Sequence, residues 1–193
     1  MNLPRQTAAI FEILSKGQFI CSNSVDAQKR KLFDVLDDKD NFEQLFDYFK
    51  AINFILEKGD EFYYFSRKNE SKVDMERKLE TAYKWIDMVD FFKSYNSAFG
   101  VGFSFSPAEI VVQIKVNALL KSKANELKNS LRMKDPITYE EVAQKLIDQL
   151  CKDGFAEQEG EVLKSYKVLS SFKFLEELIM NIHIPEEVQN EIP

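Results

Sequence analysis

FKAINFILEKGDEFYYFSR, residues 49–67, carries the end of an amphipathic helix straight into two short apolar runs, FIL and FYYFS, parted by the turn EKGD. Gly59 supplies the conformational freedom that a tight reversal needs, so the stretch predicts a helix feeding a β-hairpin. A hairpin this apolar has to lie against something, and the residues on either side say what kind of fold holds it.

Working back from it, Phe42, Leu45, Phe46, Phe49 and Ile52 fall on one face of a helix. Asp40, three residues before Glu43, forms a capping-box pattern at its start. Residues 26–37 read as a second helix behind the polar cluster CSNS, QFIC as one short strand, and Ile10, Phe11 and Leu14 as a first helix ended by Gly17. Helix, strand, helix, helix and hairpin is the order of a winged-helix domain, placed at residues 5–67, with the hairpin as its wing.

Working forward, residues 72–95 form the longest helical pattern of the chain. Leu79, Ala82, Tyr83, Ile86 and Val89 mark one apolar face and Trp85, Met88, Phe92 and Tyr95 a second. A helix apolar on two faces is expected to be buried on two sides, and residues 68–99 are read as a brace between two lobes. Residues 100–183 repeat the element order. GVGFSF reads as a strand, and Ser106, Pro107 and Glu109 open a helix expected to run to about 131. Thr138 and Glu141 open the next helix, with Tyr139, Val142, Ala143, Leu146, Ile147 and Leu150 inward. FAEQ, the turn EGE and LKSYKVLS give a second wing. Phe172, Leu175, Leu178, Ile179 and Ile182 line a closing helix, and a polar tail covers 184–193. The fold class expected is mostly α with small β-hairpin wings, two winged-helix domains joined by a long helix.

Composition narrows function. The chain has 193 residues, with 26 Lys and Arg against 32 Asp and Glu, so a surface basic all round is excluded. Its 17 Phe and 7 Tyr are enough for a solid core plus a protein-facing surface. Cys21 and Cys151 lie in different units, which suggests buried thiols in a reducing compartment. MNLPRQTAAIFEIL has neither a long apolar run nor a cleavage site, and no apolar run is long enough to span a bilayer, so a cytoplasmic protein is expected.

Catalytic patterns are missing from the sequence. His183, the single histidine, sits beside Pro185 without convergent partners. No phosphate loop, dinucleotide fingerprint or nucleophile elbow occurs, and one His with two distant Cys does not make a usual zinc site. No cofactor or metal is expected, and no enzyme.

A winged helix that reads DNA lays its third helix in the major groove. Here that helix presents Glu43, Gln44, Asp47, Tyr48 and Lys50, and its counterpart presents Glu140, Glu141, Gln144, Lys145 and Asp148. Carboxylates repel phosphates, so Glu43, Asp47 and Tyr48 are read as a solvated face or a protein-binding one. The basic stripe lies elsewhere. Residues 115–134 carry six cations against one carboxylate, Glu126, and Lys121, Lys128 and Arg132 share one helix side. A solvated face and a non-specific contact with DNA backbone are the two readings there. Tyr63, Tyr64 and Phe65 read either as packing on the domain's own helices or as aromatic anchors of a subunit interface.

Taken together, FILEKGDEFYYFSR, the SPAEI helix start and ITYEEVAQKLIDQLCKDGFAEQEGEVLKSYKVLSSFKFLEELI, within tandem winged-helix units and an acidic chain, resemble the kleisin-interacting tandem winged-helix (KITE) subunits of bacterial condensins. They look in particular like the MukE/MksE branch. The resemblance spans about residues 5–183. It implies a homodimer formed through the first units, a grip on a kleisin that closes a ring on a coiled-coil SMC ATPase, and no chemistry of its own. It implies service to DNA organisation, in chromosome segregation or in plasmid defence, at the nucleoid. The reading from another class is a winged-helix transcription regulator, against which the acidic third helices argue.

Overall fold

The computed structural model describes residues 3–67, 72–130, 133, 138–160, 162 and 164–181; for 72–79, 130 and 181 it describes the backbone alone. The first half runs α1 (Thr7–Leu14), β1 (Ile20–Cys21), α2 (Ala27–Asp37), α3 (Lys39–Ala51), β2 (Ile55–Lys58) and β3 (Phe62–Ser66). Antiparallel pairing puts β3 between its neighbours, in the order β1-β3-β2, with Ile20 opposite Tyr63 on one side and Lys58 opposite Tyr63 on the other. The second half runs α4 (Lys72–Tyr95), β4 (Ser104–Phe105), α5 (Pro107–Val116), α6 (Ala118–Ser130), α7 (Tyr139–Lys152), β5 (Ala156–Gly160), β6 (Ser165–Val168) and α8 (Phe172–Asn181). Its sheet has the equivalent order, β4-β6-β5. Mostly helical halves with small three-stranded wings are the fold class that the residue patterns predict.

Local chemistry sets the helix starts. Glu109 N–H donates to Ser106 Oγ at 3.3 Å and Ser106 N–H to Glu109 Oε2 at 2.8 Å, closing the capping box that begins α5. Thr138 and Glu141 do the same for α7, at 3.2 and 2.8 Å. At α3 the cap lies two residues before the expected Asp40: Asp38 Oδ1 accepts from Asn41 N–H at 2.9 Å. The single helix expected from 107 to about 131 is two helices. Asn117 ends α5 with an extended backbone, and its Oδ1 accepts the N–H groups of Leu119 and Leu120 at 3.0 and 3.2 Å, which caps α6.

Each half has its own core. Ile10, Leu14, Ile20, Leu36, Leu45, Phe49, Leu56 and Tyr63 are buried together in the first. In the second, Trp85, Met88, Phe91 and Phe92 of α4 meet Phe99, Phe105, Ile110, Ile114, Leu146, Leu150 and Phe172. The described side chains of α4 form one broad buried face, not two. Tyr83 is 46% exposed, and the helix packs on α5, α6 and α8 of the second half. Lys93 and Glu176, 2.8 Å apart, tie α4 to α8. Of the first face expected, Ala82 lies within this buried face while residues 83, 86 and 89 border it; Leu79 lies outside the described side chains.

A third apolar cluster joins the halves. Cys21, Phe62 and Leu169 are buried in it, with Phe19, Tyr64 and Phe174 packed around them. Phe19 lies 5.5 Å from Phe155 and 5.4 Å from Phe174, ring centre to ring centre, and Tyr64 lies 5.0 Å from Phe174. A polar rim surrounds it. Asn23 Nδ2 donates to Val168 O at 3.2 Å, and Ser170 N–H donates to Asn23 Oδ1 at 2.8 Å. Glu157 reaches from β5 to the loop before α2, accepting from Ser24 Oγ, Val25 N–H and Lys29 Nζ, each at 2.7 Å. Asp60 and Lys173 form an ion pair across the same seam.

Candidate partner-binding surface

The hairpin is held on both sides by its own chain. Successive strand residues face opposite ways, so β3 sends Tyr63 and Phe65 one way and Phe62 and Tyr64 the other. Phe65 packs on Phe11, Phe49 and Phe54 of the first half, with ring centres 4.9–6.1 Å away. Tyr63 is fully buried against Phe33, and its hydroxyl donates to Asp37 Oδ1 at 2.9 Å. Burial pushes the Tyr63 phenol up to about 12. Lys58, 2.7 Å from the same carboxylate, and the Tyr63 hydroxyl hold Asp37 below its ordinary range. Phe62 and Tyr64 face the second half. The reading of Tyr63 as a partner anchor is corrected: its side chain has no surface to offer. Tyr64 and Phe65, the other two interface candidates on this strand, are half-buried, and because both faces of β3 meet aromatic rings FYYF shows no alternation.

Gly59 is needed for space more than for rotation. A Cβ there would stand 2.2 Å from Cζ of Phe62, whose ring lies over the turn, while Glu61 takes the left-handed conformation at φ 66°.

The third helices differ in what their acids do. On α7, Glu140 pairs with Lys115 at 2.9 Å, Glu141 closes the capping box, and Asp148 accepts from Gln144 at 2.8 Å. On α3, Glu43 and Asp47 are exposed and have no hydrogen bond or ion pair among the described residues. Beside them Phe42 and Phe46 are half-buried, 6.2 Å apart, and these four residues line a shallow open depression. Tyr48, 36% exposed, continues the surface with its ring edge-on to Phe49 at 5.5 Å. Of the six residues read as interface candidates, the structure keeps Glu43, Asp47 and Tyr48 on the outside of one helix.

The basic stripe is thinner than its sequence. Lys121 is exposed and Lys128 half-buried on α6, whereas Arg132 and Lys134 lie outside the described residues. Among the described residues Lys115 pairs with Glu140, Lys123 with Asp90 of α4, and Lys128 too has an interaction within the chain.

Among the described residues no group of three His, Cys, Asp or Glu is gathered as a metal would require, and His183 lies outside them. Cys21 and Cys151 are free thiols. Burial raises both, Cys151 to about 11. No described helix is long and apolar enough to cross a membrane.

A tandem winged-helix architecture with these features is one that many proteins of different activity share, so the comparison with known families decides among them. The model of the family described as condensin complex protein MksE matches residues 5–179. The chain belongs to the MksE family. No curated protein matches it. The MksE match takes in both winged-helix units and the whole seam, from Phe19 to Phe174. It makes the chain an accessory subunit of a condensin complex. The seam of this MksE subunit is also what the residue patterns missed: CSNSV reads as a spacer before a helix and Glu157 as a wing residue, because hydrogen bonds across more than 130 residues leave no local periodicity.

Proposed function

We propose that this subunit does no chemistry and works by holding a kleisin, and through it a coiled-coil SMC ATPase, as a homodimer that supports DNA organisation. The observation that carries this reading is the MksE match across both units. The outward acids of α3, without a partner among the described residues, support it, because Glu43 and Asp47 beside half-exposed aromatics suit a protein partner and repel phosphate. On this reading Glu43, Asp47 and Tyr48 belong to the protein interface. Lys121 and Lys128, with Arg132, touch DNA backbone without sequence preference when the complex is assembled. The chain divides into units at 5–67 and 100–183, with 68–99 leading into the second and 184–193 as a tail. The subunit resides in the cytoplasm with the nucleoid.

The test is a tagged pull-down from the native cell, with the recovered proteins identified by mass spectrometry. A long coiled-coil ATPase and a kleisin are expected. The subunit alone, bound to DNA fragments of one sequence, would overturn the reading in favour of a transcription regulator. Glu43→Lys with Asp47→Lys sharpens the result: the protein partner is weakened, while affinity for DNA rises or stays level.

A further inference from the structure

The face of α3 has a pattern that specifies its ligand more closely than "protein". Phe42 and Phe46 stand four residues apart, as do Glu43 and Asp47, so two parallel rows run along one and a half turns, one aromatic and one acidic. Neither carboxylate has a partner among the described residues, whereas all three acids on the equivalent face of α7 are engaged within the chain. The aromatic row already accepts a cation: Lys50 Nζ lies 5.4 Å from the centre of the Phe46 ring. Lys39 and Lys50 stand at the two ends of the helix, so the acidic window is confined to its middle.

We propose that α3 is the docking site for a basic amphipathic helix of another protein. Its apolar side chains cover Phe42 and Phe46, and Lys or Arg side chains four residues apart lie beside Glu43 and Asp47. This inference rests on the reading that the subunit acts by holding a protein partner, and it adds the chemistry of the segment held. Helices laid in shallow grooves use this arrangement of apolar anchors with flanking charges. The charges set orientation and register, since a segment turned end for end or rotated by one residue loses them. Glu43 and Asp47 at the centre of the face oppose the phosphates of nucleic acid and anionic lipid there, although Lys39 and Lys50 flank them on the same helix.

The experiment uses the purified full chain and a fluorescein-labelled helical peptide with leucines four residues apart and an arginine beside each. A twin peptide carries glutamate in place of arginine. Fluorescence anisotropy should show saturable binding of the arginine peptide, weakened by added salt, and binding of the twin about five- to tenfold weaker. Glu43→Gln with Asp47→Asn should lower affinity for the arginine peptide by a similar factor. Glu140→Gln with Asp148→Asn should leave it unchanged. Circular dichroism confirms that both variants fold. Equal binding of the two peptides, no binding of either, or indifference to the Glu43 and Asp47 changes would each overturn the docking site. So would self-association of the chain that those changes abolish, since a second copy would then occupy α3. The pull-down separates the two levels. If wild type and the Glu43/Asp47 variant recover the kleisin equally, the partner-holding reading stands and the docking site falls. If wild type recovers no partner, the reading falls while the peptide titration still decides the site.

Discussion

Replacing Glu157 by alanine should loosen the joint between the halves while sparing both cores. The carboxylate is 16% exposed and accepts three hydrogen bonds of 2.7 Å from the first half. Its loss strands the Ser24 hydroxyl, on a residue 2% exposed, and the Val25 N–H. A buried donor left without a partner costs about 1–3 kcal/mol, and water entering the gap recovers part of that. Lys29 adds little, because its side chain is one-third exposed and regains water. The total is about 2–4 kcal/mol for Glu157→Ala. It is about half that for Glu157→Gln, whose amide oxygen still accepts a bond. Urea unfolding followed by far-ultraviolet circular dichroism gives the total. Hydrogen exchange gives the location: protection should fall across 20–29 and 62–66 and persist in α7. A cost below about 0.5 kcal/mol, or an even loss of protection over both halves, would refute the argument.

Acid should act at the same place. Burial alone would raise the Glu157 acid, but the bonds from Lys29, Ser24 and Val25 outweigh it and hold the group below its ordinary 4.5. A carboxylate depressed in the folded state stabilises above its unfolded value, so its contribution is complete above pH 4.5 and is lost as pH falls below that. The Glu157→Gln variant should lack this component of acid sensitivity, as urea midpoints measured across that range will show. Gly59→Ala should cost about 1–3 kcal/mol in chemical denaturation, because the new Cβ displaces the Phe62 ring from the seam; a neutral outcome would mean the turn can yield. Asn117→Ala should cost about 0.5–2 kcal/mol by removing the acceptor that starts α6, measured by thermal melting. Both thiols should resist a disulfide reagent at pH 8 in the folded chain and react at once in denaturant, since burial raises each of them. Fast native labelling of Cys151 would contradict its placement.

What the residues told in advance, and what they did not, follows the range of the forces involved. Ser106 with Glu109 and Thr138 with Glu141 act within four residues, so both helix starts are legible. The inward face of α7 has an unmistakable helical period, and Val142, Ala143, Leu146, Ile147 and Leu150 are all buried. The aromatic strand was legible as a strand but not as to what it faces. Tyr63 and Tyr64 are neighbours with identical side chains, and only the pleat separates a core residue from a seam residue. Asn117 does carry a local signal for the break, an Asn between two apolar runs that can both end one helix and cap the next. The exposed acids of α3 were legible as outward. Their lack of a partner among the described residues was not, because pairing is set by tertiary placement, as where Lys115 of α5 lies beside Glu140 of α7.

The packing of aromatic rings on both faces of β3 also has a consequence for synthesis. The outer face of the strand, Phe62 and Tyr64, is covered by Phe174, about 110 residues further along the chain. At about 5–20 residues per second, the first half waits about 5–20 s with that aromatic face covered only by its own Phe19. During that interval the nascent chain is a substrate for chaperones and a hazard to neighbouring copies. Ribosome-stalled chains ending before residue 155 should crosslink to trigger-type chaperones through Phe62 and Tyr64, and chains released after residue 181 should not. The subunit is thus finished from its far end, and its N-terminal half becomes a closed surface only when the last helix arrives.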